Sequence, residues 1–215
     1  MKKIAILGSG GLAREVLCLI QDINKKNQTY DVLGFIDNSI EKGTLVNGFP
    51  VIGSDDEILK SNKSMSLALA FGEPKLKKKV ATKYISSNFD FPNLIHPSVI
   101  LGSQDYIRMG KGCIICAGNI LTTNIELGDF ITLNLACTVG HDTIIGSYSS
   151  FMPSCNISGE VNIQDCVYGG TGVKIINQIV VGANAILGAG AVVSKSIPAN
   201  CTAVGVPAKP IKFNI

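Results

Sequence analysis

Two stretches of this 215-residue chain bring together groups suited to chemistry. Near the N-terminus, Gly8-Ser9-Gly10-Gly11-Leu12-Ala13 follows the apolar run from Lys2 to Leu7 and precedes helical spacing at Val16, Leu17, Leu19, Ile20 and Ile23. Glycines at a strand-to-helix turn let backbone N–H groups meet phosphate oxygens with no side chain in the way. Gly8, Gly10 and Ala13 nearly complete the G-x-G-x-x-G/A pattern. Asp37 follows the second apolar run, Val32 to Ile36, where an acid can bond a ribose hydroxyl. Taken alone, the turn is weak evidence, since a tight strand-to-helix connection with no ligand has the same residues. The second stretch holds Gly140-His141-Asp142. His141 and His96 are the only histidines, so a zinc site built from three of them is excluded. On its own, His141 also fits a solvated surface residue. Cys113-x-x-Cys116 has a spacing used elsewhere for redox chemistry or zinc.

The element that must carry His141 is legible from a period of six. Every sixth residue from Met109 to Val193 gives fifteen positions, and all but Gly169 are apolar; a 46% hydrophobic chain predicts about seven. The residues two places earlier, among them Cys113, Cys137 and Cys155, include no charge and no aromatic ring. Six matches neither a helix nor a simple strand. It matches a short strand with two inward side chains, a corner and another short strand; three per coil give a triangular parallel β-helix. Glycine often follows the apolar residue, as at Gly110, Gly128, Gly140, Gly146, Gly170, Gly182 and Gly188, which predicts glycine-assisted corners. His141, Asp142, Gly159, Glu160 and Asp165 fall at corners, and Gly159 lies eighteen residues, or one coil, beyond His141. The inward cysteines read as small core residues.

Before the repeat, Lys2 to Leu7, Val32 to Ile36, Val51 to Gly53 and Leu67 to Phe71 read as strands. Ala13 to Asn24 reads as a helix, and Ser54 to Glu57 as a capped helix start. This is a short parallel α/β unit, Rossmann-like but ending near residue 90, with no room for a full dinucleotide domain. Lys75, Lys77, Lys78 and Lys79 read as the solvated face of a helix. The predicted organisation is 1–90 for the α/β unit and 91–215 for the β-helix with a proline-bearing tail from Ile197 to Pro210. With a net charge of +3 and no basic run, nucleic acid is not an expected partner. No apolar run approaches eighteen residues, so no membrane span is expected. The N-terminal apolar run is too short for a signal peptide, so a cytoplasmic location is expected.

Gly8-Ser9-Gly10-Gly11, Gly34-Phe35-Ile36-Asp37-Asn38, Leu94-Ile95-His96-Pro97-Ser98, Gly140-His141-Asp142 and the Val204 to Lys209 tail together carry a resemblance that spans essentially the whole chain. The chain resembles the bacterial sugar O- and N-acyltransferases related to sialic-acid O-acetyltransferase and to the nucleotide-amino-sugar N-acetyltransferases. The resemblance implies a left-handed β-helix and a homotrimer with active sites between neighbouring subunits. Left-handed crossovers run against the usual preference, so that handedness rests on the resemblance alone. It also implies that His141 is the general base, a task suited to imidazole. Asp142 would orient the ring, the Gly159 N–H would meet the thioester oxygen, and Asn134 would line the same cleft. The resemblance places acetyl-CoA near Ser150, Thr171 and Ala189, with Gly188 and Gly190 allowing close approach. It places the nucleotide-sugar near Gly10, Gly11, Leu12, Asp37, Asn38 and Gly72. Leu12 and Ser150 stand where some members carry histidine, which bears on the choice of substrate. His96 is expected to make a structural bond at the domain junction. The expected activity is acetyl-CoA-dependent N-acetylation of a nucleotide-linked amino sugar, with no metal and no acyl-enzyme. Sugar O-acetylation and a non-catalytic binding module are the alternatives.

Overall fold

A computed structural model describes residues 1–61, 64–85 and 89–213. The N-terminal unit comprises β1 (Lys2–Leu7), α1 (Gly11–Lys26), β2 (Tyr30–Ile36), β3 (Leu45–Val46), β4 (Phe49–Gly53), α2 (Asp55–Lys60), β5 (Ser66–Leu69) and α3 (Pro74–Ile85). Its sheet has the order β3-β4-β2-β1-β5, parallel except for β3. The centre of β1, Ile4 to Leu7, is fully buried because helices cover both faces of the sheet: α1 on one, α2 and α3 on the other. α1 begins two residues earlier than the spacing of apolar side chains suggests, with Gly10 as N-cap and no side chain bonded to the first turn. α2 starts with the expected capping box between Ser54 and Glu57.

From Leu94 onward the chain winds as a three-sided parallel β-helix with a rise of eighteen residues per coil. Its first face stacks Leu94–Ile95, Ile114–Ile115, Thr132–Leu133, Ser150–Phe151, Tyr168–Gly169 and Ile186–Leu187, then Cys201–Val204 and the antiparallel Lys209–Phe213. The second face stacks Ile100–Leu101 to Val192–Val193, and the third Ile107–Met109 to Val180–Val181. In the central coils strands pair eighteen residues apart, as with Thr138 opposite Asn156 and Ile144 opposite Asn162; at the start Leu94 pairs with Ile114 and Ile100 with Ile120, and at the end Ile186 pairs with Thr202. The proline-bearing tail therefore closes the first face as a strand pair. Both inward series fill one continuous core, including Cys113, Cys137 and Cys155. The exception at Gly169 has a local cause: a Cβ there would sit 2.5 Å from Cδ1 of Phe151, whose ring fills the space from the coil below.

The corners differ from the expectation in one respect. The glycine after each apolar residue is not the one in the left-handed region; it is needed for space. At Gly140 a Cβ would lie 2.5 Å from the backbone nitrogen of Gly159 on the next coil. The left-handed residue comes two places later, at every sixth position from Gly112 to Gly190, and ten of those fourteen are not glycine. Each such residue is strained locally, so the stacked coils on either side must hold the turn.

The two units meet on the first face. His96 joins them as expected: Ser98 N–H donates to Nδ1 at 3.0 Å, which leaves Nε2–H to donate to Asp22 of α1 at 3.3 Å. Lys77 departs from the expectation. It occupies the buried stripe of α3 with Pro74, Val80, Ala81 and Tyr84, is only 1% exposed, and points into the β-helix rather than into solvent. Beside it, Phe130 and Tyr148 stack at 5.6 Å, and Phe91 meets Phe130 edge-on. Among the described residues no helix is long and apolar enough to cross a membrane.

Candidate active site

His141 and Asp142 sit at the corner between the second and third faces, between Thr138–Val139 and Ile144–Ile145. Asp142 is itself the left-handed residue of that corner, at φ 56°. The turn therefore swings its carboxylate back to the neighbouring ring. Nδ1 of His141 lies 2.7 Å from Asp142 Oδ2, and the other carboxylate oxygen accepts from Asn124 Nδ2 at 2.9 Å. The hydrogen bond from His141, seconded by Asn124, holds the Asp142 carboxyl below the usual carboxylate range. A carboxylate on Nδ1 fixes the tautomer and leaves Nε2 with a free lone pair. His141 remains 56% exposed. Its ring lies directly over Gly159, where a Cβ would fall 2.5 Å from Nε2. Any other residue at 159 displaces the imidazole. Among the described residues, no acceptor is seen for the Gly159 N–H, which lies in the same corner as the imidazole.

Asn134 is not part of that corner. It follows Leu133 at the corner between the first and second faces, where it is 5% exposed. Its amide donates to Glu15 of α1 at 3.3 Å and its oxygen accepts from Leu135 N–H. Being seven residues from His141, a hexad plus one, it is carried one corner away. Thr171 and Gly188 to Gly190 stack on Asn134's corner in later coils, and Gly190 N–H donates to Thr171 O at 2.8 Å. Ala189 and Gly190 are exposed there, whereas the space at Gly188 is taken by Val204. The expectation that Ser150 touches the co-substrate is corrected. Ser150 is 0% exposed because α3 covers it, and its hydroxyl bonds Lys77 Nζ at 2.6 Å.

The remaining predicted residues gather at the C-terminal ends of the parallel strands, where open α/β sheets bind ligands. Asp37 accepts from Ser9 Oγ at 2.6 Å and from both the N–H and hydroxyl of Ser39. Burial works against its charge, but these bonds outweigh burial and lower its pKa. Asn38 is spent on structure, bonding the backbone and carboxylate of Asp55. A cavity of about 340 Å³ opens here between Gly8, Asp37, Ser39, Phe71, Lys79 and Lys83. At Gly10 and Gly11, an added Cβ would meet nothing within 4 Å, so neither packing nor a positive φ demands glycine. Leu12 and Met152 flank Gly72 at 3.8 and 3.7 Å from its notional Cβ. Beyond them a second cavity of about 590 Å³ runs over the first face, between Gly72, Pro74, Met152, Cys166, Tyr168 and Ile186.

A family model, the PglD N-terminal domain, matches residues 3–84. The whole chain is 31% identical to the GDP-perosamine N-acetyltransferase of Escherichia coli O157:H7, covering 99% of this chain and 97% of that one. The chain belongs to the bacterial sugar acetyltransferase family. Two solved members superpose over nearly their full length. PerB from Caulobacter crescentus, in complex with CoA and GDP-perosamine, has a TM-score of 0.89 at 28% identity and covers 99% of this chain and 98% of its own. The acetyltransferase domain of PglB from Neisseria gonorrhoeae, in complex with acetyl coenzyme A, has a TM-score of 0.88 at 30% identity, with 98% and 99% covered. Within this acetyltransferase chain, Asn124 was discoverable in the sequence, since it lies one coil before Asp142. Met152 and Tyr168 were not, because nothing local in the sequence shows which outward residues the α/β unit leaves uncovered.

Proposed function

We propose that this chain transfers the acetyl group of acetyl-CoA to the amine of a nucleotide-linked 4-amino sugar. The carrying observation is the imidazole of His141, held by Asp142 through Nδ1 and poised by Nε2 over Gly159. Nε2 takes a proton from the attacking amine as the new N–C bond forms; when the tetrahedral intermediate collapses and the C–S bond breaks, the imidazolium returns that proton to the departing sulfur, releasing CoA thiol. The free Gly159 N–H is the donor for the oxyanion. Direct attack suits a chain whose core thiols at Cys137 and Cys155 are sealed from solvent. Residues 1–90 bind the nucleotide-sugar and residues 91–215 carry the transfer. The phosphates lie on the open N-terminus of α1 at Gly10 and Gly11, with Asp37, Leu12 and Gly72 around them. Thr171, Ala189 and Gly190 meet the co-substrate. In one chain the base and this cradle stand at different corners. A homotrimer, in which each copy lends its His141 corner to a neighbour's cradle, completes the site. A cytoplasmic location is part of this reading.

Release of CoA thiol is measured with acetyl-CoA and a panel holding GDP-perosamine and UDP- and dTDP-4-amino sugars. Turnover of at least one is expected. His141→Ala should lose roughly a hundredfold or more in kcat and still bind CoA. No turnover across the panel, or a wild-type kcat in that variant, sinks the reading.

A further inference from the structure

Lys77 is a buried amine that the chemistry above does not use. Its Nζ contacts four oxygens on two successive coils: Phe130 O at 3.0 Å, Thr132 Oγ1 at 2.8 Å, Ser149 O at 3.4 Å and Ser150 Oγ at 2.6 Å. All four are neutral, and among the described residues no carboxylate pairs with it. An uncompensated ammonium in such a place is expensive, and an apolar side chain with apolar neighbours is generally as stable or more so. Such a group is worth keeping where directed bonds do something that packing cannot.

Its location indicates what that is. Lys77 lies three residues beyond Pro74, in the first turn of α3. The segment Gly72 to Lys75, just before it, forms one wall of the 590 Å³ cavity; Met152, Tyr168 and Ile186 of the β-helix form the opposite side. Ser150 and Thr132 belong to the same face as Tyr168, one and two coils earlier. The Lys77 amine therefore pins the start of α3 to the coils that floor the cavity. We infer that Lys77 is a positioning residue that sets the width of this cavity, and with it the affinity for the nucleotide-sugar, without touching the reacting atoms. The part concerning affinity rests on the activity proposed above; the part concerning the wall does not.

Lys77→Met strands two buried hydroxyls and can fail to fold, so it is compared with Lys77→Met/Thr132→Val/Ser150→Ala, which removes them. In the triple variant, KM for GDP-perosamine should rise at least tenfold, with kcat and KM for acetyl-CoA within about twofold of wild type. Hydrogen exchange at the Leu76 to Val80 amides should quicken at least tenfold, while the coils from Tyr168 to Val193 keep their protection. A stable triple variant with wild-type exchange at Leu76 to Val80 overturns the inference, and so does an unchanged KM for GDP-perosamine. If wild-type protein does not turn over that sugar, the proposed activity is what has failed, and the exchange rates alone decide the role of Lys77.

Discussion

The geometry around His141 turns on a missing side chain. Gly159 is the residue whose Cβ would fall 2.5 Å from the imidazole Nε2. Gly159→Ala should therefore lower kcat by about a hundredfold or more while leaving the melting temperature nearly unchanged, because the corner is exposed and the core beneath it is untouched. Steady-state kinetics beside thermal unfolding checks this. Lys77 makes the complementary case of a group whose burial governs its proton. Burial, the leading cause, pulls its pKa down to about 7 against an unfolded value of 10.5. Between those values the unfolded chain binds more protons than the folded one, so stability rises with pH. Wild-type protein should gain stability from pH 7 toward pH 10, with a slope of up to about 1.4 kcal/mol per pH unit. The gain should be absent in Lys77→Met/Thr132→Val/Ser150→Ala, as read by urea unfolding across that range.

At the scale of elements, the β-helix depends on pairs one coil apart as much as on the repeat within a coil. Phe151 is accommodated because the residue eighteen places later is Gly169. Gly169→Ala should cost about 1–3 kcal/mol of stability by overpacking. Phe151→Leu in the same chain should recover most of that loss, and a double-mutant cycle in urea measures the coupling. The same logic governs the corners. Ten non-glycine residues accept a left-handed backbone because the coils above and below leave them no alternative. Phe130 and Tyr148 can be aromatic there because α3 and Phe91 cover them. Corner residues are thus chosen by what packs against the corner, and only the preceding glycine by the approach of the next coil.

For the whole molecule, the decisive fact is that α1 and α3 seat the α/β unit on the first face, whereas His141 occupies the corner opposite. Base and cradle then belong to different copies in the proposed trimer, which subunit mixing can test. His141→Ala removes the base from one set of chains. Gly11→Asp places a carboxylate where phosphate is proposed to bind. It should fold, since its Cβ meets open space and an acid suits the first turn of a helix. Each variant alone should be inactive, and co-refolded mixtures should regain activity. Mixtures that stay inactive place base and cradle in the same copy and overturn the shared-site reading.

The period of six determined the β-helix, its inward residues and the corner that holds His141, Asp142 and Gly159, because stacking by eighteen is a property of the chain alone. The glycine turn and Asp37 likewise marked the C-terminal ends of the parallel strands. The sequence was silent on which outward-facing residues become interior. Lys77 was read as a solvated side chain, and Ser150 as a contact of the co-substrate. The packing of one unit on the other buried these two together, and the three-sided cross-section set Asn134 at the corner next to that of His141. Contacts between units far apart in sequence leave no periodicity to read, so only the tertiary structure decides them.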